Sequence, residues 1–126
     1  MKTITFLAAA ALALLAGTAA ALDVTPYSAP KFAEAKLAGK SVALHFHADW
    51  CPTCRAQQKV ISALRAEKSL PLTLFIADYD HEPALREKLG VRTQSTLIVY
   101  KGKDEKARLA GETDAAKIRA ALQAGL

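Results

Sequence analysis

His45-Phe46-His47-Ala48-Asp49-Trp50-Cys51-Pro52-Thr53-Cys54-Arg55 is the stretch on which the reading of this chain turns. Both cysteines of the protein lie in it, spaced C-x-x-C. On the N-terminal side, Val42, Leu44 and Phe46 alternate with Ala43, His45 and His47, which predicts a strand over Ser41 to His47. Beyond it, Ala56, Val60, Ala63 and Leu64 recur at helical spacing, which predicts a helix from Pro52 to about Lys68 with its proline in the tolerated first turn. A thiol pair where a strand hands over to a helix has the outline of a redox site. A helix that begins at Cys51 aims free backbone N–H groups and the positive end of its dipole at that sulfur, which favours the thiolate. Thiolates attack disulfides, and Cys54, one turn along, can reach back to resolve the product.

Further outward on the N-terminal side, Met1 and Lys2 precede an uncharged stretch with an apolar centre from Leu7 to Ala16 and small residues at Ala19-Ala20-Ala21. That pattern predicts a secretory signal peptide over residues 1–21, cut after Ala21. The alternative is a retained membrane anchor, since about 18 apolar residues can span a bilayer. Either reading puts residues 22–126 in the periplasm or outside the cell, where disulfides persist. That length suits one domain, and no repeat or linker divides it.

Charge excludes one class of partner. The protein carries 17 basic and 12 acidic residues, and Lys2 is the only charge in the leader. The surplus is scattered over Lys31, Lys36, Lys40, Arg55, Lys59, Arg65 and the stretch 101–108, without interleaved aromatics, so no nucleic-acid partner is expected.

The remaining elements follow from their punctuation. Leu22 to Tyr27 reads as an irregular lead-in or a short edge strand, because Pro26 disfavours a central one. Ser28 caps a helix with Pro30 in its first turn and Gly39 at its end. Leu72 to about Ala77 is an almost wholly apolar strand, and Asp80 is expected to cap a short helix running from Pro83 to Gly90. Thr96 to Tyr100 is a strand, Lys101-Gly102-Lys103-Asp104 a turn and Lys106 to Ala110 another strand. A closing helix starts at Thr113 or Asp114 and buries Ile118 and Leu122. Helices alternating with strands imply an α/β fold, with a central mixed sheet of about four strands and helices on both faces.

With that order in place, the chain resembles the thioredoxin family over essentially all of Leu22 to Leu126. The resemblance rests on Ala48-Asp49-Trp50-Cys51-Pro52-Thr53-Cys54, on Gly90-Val91-Arg92 leading into Thr96-Leu97-Ile98-Val99-Tyr100, and on Lys101-Gly102 in the last hairpin. It implies a thioredoxin-like fold and thiol–disulfide exchange without a cofactor, with Cys51 as nucleophile and Cys54 as resolving thiol. Trp50-Cys51-Pro52-Thr53-Cys54-Arg55 is similar to the periplasmic reductases of cytochrome c maturation, which gives a lean towards reductase. The run Ala48-Asp49-Trp50-Cys51 is also similar to the C-terminal domain of membrane-coupled periplasmic thiol reductases. The maturation reductases usually carry a mid-domain insertion, and this chain is too short for one.

Two positions depart from the family pattern. Where thioredoxins hold a cis-proline opposite the cysteines, this chain has Ser95. A cis bond costs about 0.5–1 kcal/mol before proline and about 3–4 kcal/mol before other residues, so the Gln94–Ser95 peptide is expected to be trans. The resemblance implies that Gln94, Ser95 and Thr96 line the substrate groove with Trp50; the Ser95 hydroxyl is then a candidate partner for the Cys51 thiolate, and a loosened loop is the alternative. Many thioredoxins bury an aspartate where His45 stands. His45 is therefore a candidate proton acceptor for Cys54, against the alternative of a buried histidine satisfied by backbone. His47 and His81 read as surface residues and Asp49 as a polar neighbour.

Other chemistries compete. Cys51, Cys54 and His45 could form a copper or zinc site, although structural zinc wants four ligands. A purely structural disulfide is the weakest reading, because a four-residue loop restrains the unfolded chain by only about 2 kcal/mol. The expected partners are protein thiols or disulfides and a redox partner protein. No membrane contact is expected once the leader is cut, and a monomer is expected.

Overall fold

The computed structural model describes residues 21–126; the first twenty residues of the expected leader lie outside the described part. Nine elements follow in order: β1 (Asp23–Pro26), α1 (Ala29–Leu37), β2 (Ser41–His47), α2 (Pro52–Leu64), β3 (Thr73–Asp78), α3 (Pro83–Leu89), β4 (Thr96–Lys101), β5 (Asp104–Ala110) and α4 (Ala115–Gln123). The sheet has five strands in the order β1-β3-β2-β4-β5, one more than the expected four. The addition is β1, which pairs in parallel with β3 at the edge, where Pro26 costs no central ladder bond.

Caps set the helix starts. Ser28 Oγ accepts from the Lys31 N–H at 3.5 Å, and Asp114 Oδ1 accepts from the Lys117 N–H at 2.9 Å. Asp80 is a correction. The residue that precedes α3 is Glu82, which makes no side-chain cap bond, so proline at the start of α3 acts without the expected aspartate. At its other end Gly90 closes α3 in the left-handed conformation, with φ of 66°. The helix α2 stops at Leu64, short of the expected Lys68.

Alternation divides the sheet's side chains between two cores. Val42, Leu44, Phe46, Phe75, Ile98 and Tyr100 face α1 and α3, gathered round Phe32. Ala43, Leu74, Leu97 and Val99 face α2 and α4, against Ile61, Leu64, Ile118 and Leu122. Helices therefore cover both faces, as expected. The buried stripe of α2 is Cys54, Gln57, Ile61 and Leu64. Ala63, expected inside, is exposed.

Topology then places the site. Strand β2 is parallel to β3 and antiparallel to β4, with His45 opposite Leu97. The C-terminal end of β2, which delivers the cysteines, therefore lies beside the N-terminal end of β4, which delivers residues 94–96. The Ser95 N–H donates to the Phe46 carbonyl at 2.9 Å and closes the junction. No helix among the described residues is long and apolar enough to cross a membrane.

Candidate active site

Cys51 is the N-cap of α2, with extended backbone (φ −89°, ψ 113°). Its sulfur stands where a capping oxygen usually does and accepts the Cys54 backbone N–H at 3.1 Å. Both cysteines are free thiols. Cys54 is fully buried and Cys51 is 2% exposed, in a small buried cluster with Ala48 beside the exposed Trp50.

The two thiols are driven apart electrostatically. Burial pushes the Cys51 thiol up, but the Cys54 thiol, the Cys54 backbone N–H and the nearby polar side chains of Ser95 and Gln94 outweigh it and bring it below the usual 9.0. Cys54 is pushed up to about 11, first by burial and then by the hydrogen bond it donates to Cys51. One proton is shed readily and the other is held. That is the asymmetry an attacking and a waiting sulfur require.

The Gln94–Ser95 peptide is trans, as expected, since the described residues contain no cis bond. Ser95 takes a left-handed conformation instead, with φ of 59°, where a residue with a Cβ is strained by about 1–2 kcal/mol. In the structure its hydroxyl donates to the Gln94 carbonyl at 2.5 Å. Thr96 behaves differently. It is buried, and its hydroxyl donates to the Thr93 carbonyl at 2.8 Å, away from the sulfurs.

Trp50 is 58% exposed beside Cys51, and its indole N–H donates to Asp80 Oδ2 at 2.7 Å. Arg55 Nη1 donates to the Asp49 carbonyl at 2.8 Å and ties the loop to the helix it enters. His47, expected at the surface, is mostly covered and pairs with Asp49 Oδ1 at 3.0 Å. His81 is exposed, as expected, and pairs with Asp78 at 2.8 Å.

The structure gives His45 a side-chain partner rather than the backbone one expected of a buried histidine. His45 lies under α2 as alternation requires, but its Nε2 is committed to Gln57 Oε1 at 2.7 Å. Burial lowers its pKa to about 4, with the Gln57 bond opposing and His47 adding slightly. In the resting dithiol the proton therefore stays on Cys54, held up to about 11, rather than passing to His45. The metal alternative also loses its geometry: among the described residues no three His, Cys, Asp or Glu side chains converge as a metal site, so Cys51, Cys54 and His45 do not form one.

Gln57 escaped the sequence reading. It is 2% exposed, and its Nε2 donates to the Ser95 carbonyl at 2.9 Å and to the Glu112 carbonyl at 2.8 Å. The signal was present: a glutamine three residues after Cys54, in phase with Ile61 and Leu64, puts an amide on an apolar stripe where it needs buried partners.

A two-cysteine site with one acidified sulfur, capping a helix at the end of a central strand, defines a thiol–disulfide oxidoreductase built on an α/β sheet. The sequence profile of the family described as thioredoxin matches residues 23–124. A thioredoxin of Chlamydia muridarum is 37% identical over 79 residues, covering 62% of this chain and 76% of its own. A bifunctional thioredoxin reductase/thioredoxin of Mycobacterium leprae is 30% identical over 91 residues, covering 72% of this chain and 19% of that protein. The crystal structure of Trxlp from Edwardsiella tarda superposes with a TM-score of 0.75 at 34% identity, over 79% of this chain and 98% of that one. The chain belongs to the thioredoxin family, and its activity is thiol–disulfide exchange.

Proposed function

We propose that the protein is an extracytoplasmic reductase of protein disulfides in which Cys51 attacks and Cys54 resolves. The Cys51 thiolate forms a bond to one sulfur of a substrate disulfide, and the other substrate sulfur leaves with the bonding pair and takes a proton. Cys54 then loses its proton and attacks Cys51 Sγ. The Cys51–Cys54 disulfide forms, and the second substrate sulfur leaves as a thiol. The substrate gains two electrons and two protons, the pair loses them, and a redox partner protein restores the dithiol. No cofactor beyond the two thiols enters this cycle.

The observation that carries the assignment is the Cys54 backbone N–H at 3.1 Å from Cys51 Sγ, which stabilises the anion on the first sulfur. Trp50, with its indole exposed beside that sulfur, and the backbone of Gln94 to Thr96 form the substrate contact, with the Thr96 side chain turned away. The leader over residues 1–21 supports export to the periplasm or beyond, with the domain acting as a monomer. The fusion of a thioredoxin reductase to a thioredoxin in the Mycobacterium leprae relative supports a reductase-type partner.

Trapping with Cys54→Ser tests the roles. A stable mixed disulfide on Cys51 is expected, and adducts that survive Cys51→Ser in its place overturn the assignment. Export is read from a reporter fused after Leu22 that folds only outside the cytoplasm; a reporter silent with the leader and equally silent without it removes the location.

A further inference from the structure

The Gln57 amide sits at the centre of a buried polar cluster whose bonding is fully determined. Two carbonyl oxygens, of Ser95 and Glu112, accept from Nε2, so the nitrogen end of the amide is identified and Oε1 is left facing His45. His45 must then carry its proton on Nε2, which donates at 2.7 Å, and its Nδ1 is left without a partner. Turned over, the amide would set Oε1 against both carbonyl oxygens and lose those two bonds.

What it grips is the strained residue. Ser95, at φ of 59°, is bound on both sides: its N–H donates to the Phe46 carbonyl at 2.9 Å, and its carbonyl accepts from Gly111 N at 3.1 Å and from Gln57. The first two bonds anchor the turn to the sheet and to the segment after β5. Gln57 anchors it to α2, the helix whose first turn bears both sulfurs. Ser95 and Gln94 in turn place their side chains against Cys51.

We propose that Gln57 is a positioning residue for thiol exchange: by holding the Ser95 carbonyl it locks the 94–95 turn against Cys51 in the place of a fixed proline, and His45 serves to orient its amide. The turn and the sulfur-bearing helix then keep their relation while the disulfide forms and breaks. This rests on Cys51 being the attacking sulfur, and the test separates the two claims.

The pH profile of Cys51 alkylation in the reduced protein is the readout, because it needs no substrate. In Gln57→Leu its midpoint should rise by about half a unit or more, leaving about threefold less thiolate at neutral pH. Ser95→Ala should shift it in the same direction, and Gln57→Leu added to Ser95→Ala should contribute less than half of its own effect. An unchanged midpoint in folded Gln57→Leu, or full additivity, overturns the proposal while leaving the exchange function standing. Failure of Cys54→Ser to trap anything on Cys51, with the midpoint shift intact, removes the function instead. Should Gln57→Leu not fold, the wild-type protein decides: the Gln57 side-chain amide protons should exchange with water far more slowly than those of exposed Gln58, and equal rates overturn the clamp.

Discussion

The indole N–H of Trp50 donates to Asp80 Oδ2 across 2.7 Å, tying the residue before the first cysteine to the turn that follows β3. An exposed ring is thereby held beside Cys51, where the proposed function puts the substrate contact. Aromatic anchors of this kind typically carry more than 1 kcal/mol of a protein contact. Trp50→Ala should lower kcat/KM for a protein disulfide about tenfold, equivalent to about 1.4 kcal/mol, and leave the Cys51 alkylation profile unchanged. Asp80→Ala should have a smaller effect of the same kind, with greater depolarisation of the protein's single tryptophan as the ring is released.

The opposed thiols predict selectivity. With Cys51 below 9.0 and Cys54 at about 11, iodoacetamide at pH 7.5 should label Cys51 first and leave Cys54 as a thiol, as peptide mapping would read. Labelling of Cys51 should slow as pH falls through its lowered pKa, because only the thiolate reacts. Equal labelling of the two would mean that the N-cap geometry does not acidify Cys51.

Much of this arrangement is legible in the chain. Alternation over Ser41 to His47, the caps at Ser28 and Asp114 and the C-x-x-C spacing are local signals, and each is where the physics of one element decides. What the sequence leaves unread depends on other elements. Glutamine at position 57 is in phase with the buried stripe of α2, but the carbonyl that satisfies it, that of Ser95, arrives with the segment before β4 and leaves no local trace. Asp80 looks like a cap because an aspartate near a helix start usually is, but Trp50, 30 residues away, takes it. His45 reads as a base because free imidazole is one. Its basicity is removed by the roof that α2 forms over it, and no residue beside it in sequence reports that roof.

Phe32 predicts the energetics of the second core. Its ring meets Tyr27, Phe75 and Tyr100 edge-on, at centroid distances of 5.8, 5.5 and 5.8 Å, and Lys36 Nζ lies 5.1 Å from its centroid. Phe32→Ala should cost about 3–5 kcal/mol in urea unfolding, since the surrounding aromatic side chains cannot collapse into the space. Cys51 belongs to a separate buried cluster with Ala48 and Cys54, so its alkylation profile should remain that of the parent protein.

His45 predicts how stability responds to acid. Burial lowers its pKa from 6.5 in the unfolded chain to about 4 in the folded one, so between those values the unfolded state binds the extra proton. A folded pKa below the unfolded one means the contribution is complete above pH 6.5 and is lost as pH falls towards 4. At 1.36 kcal/mol per unit the loss amounts to roughly 3 kcal/mol across that window. Urea midpoints of the reduced protein should therefore drop steadily from pH 7 to pH 4.5, and most of that slope should vanish in His45→Gln, whose amide can still donate to Gln57 without taking up a proton. A parallel slope in the two proteins would show that acid acts elsewhere.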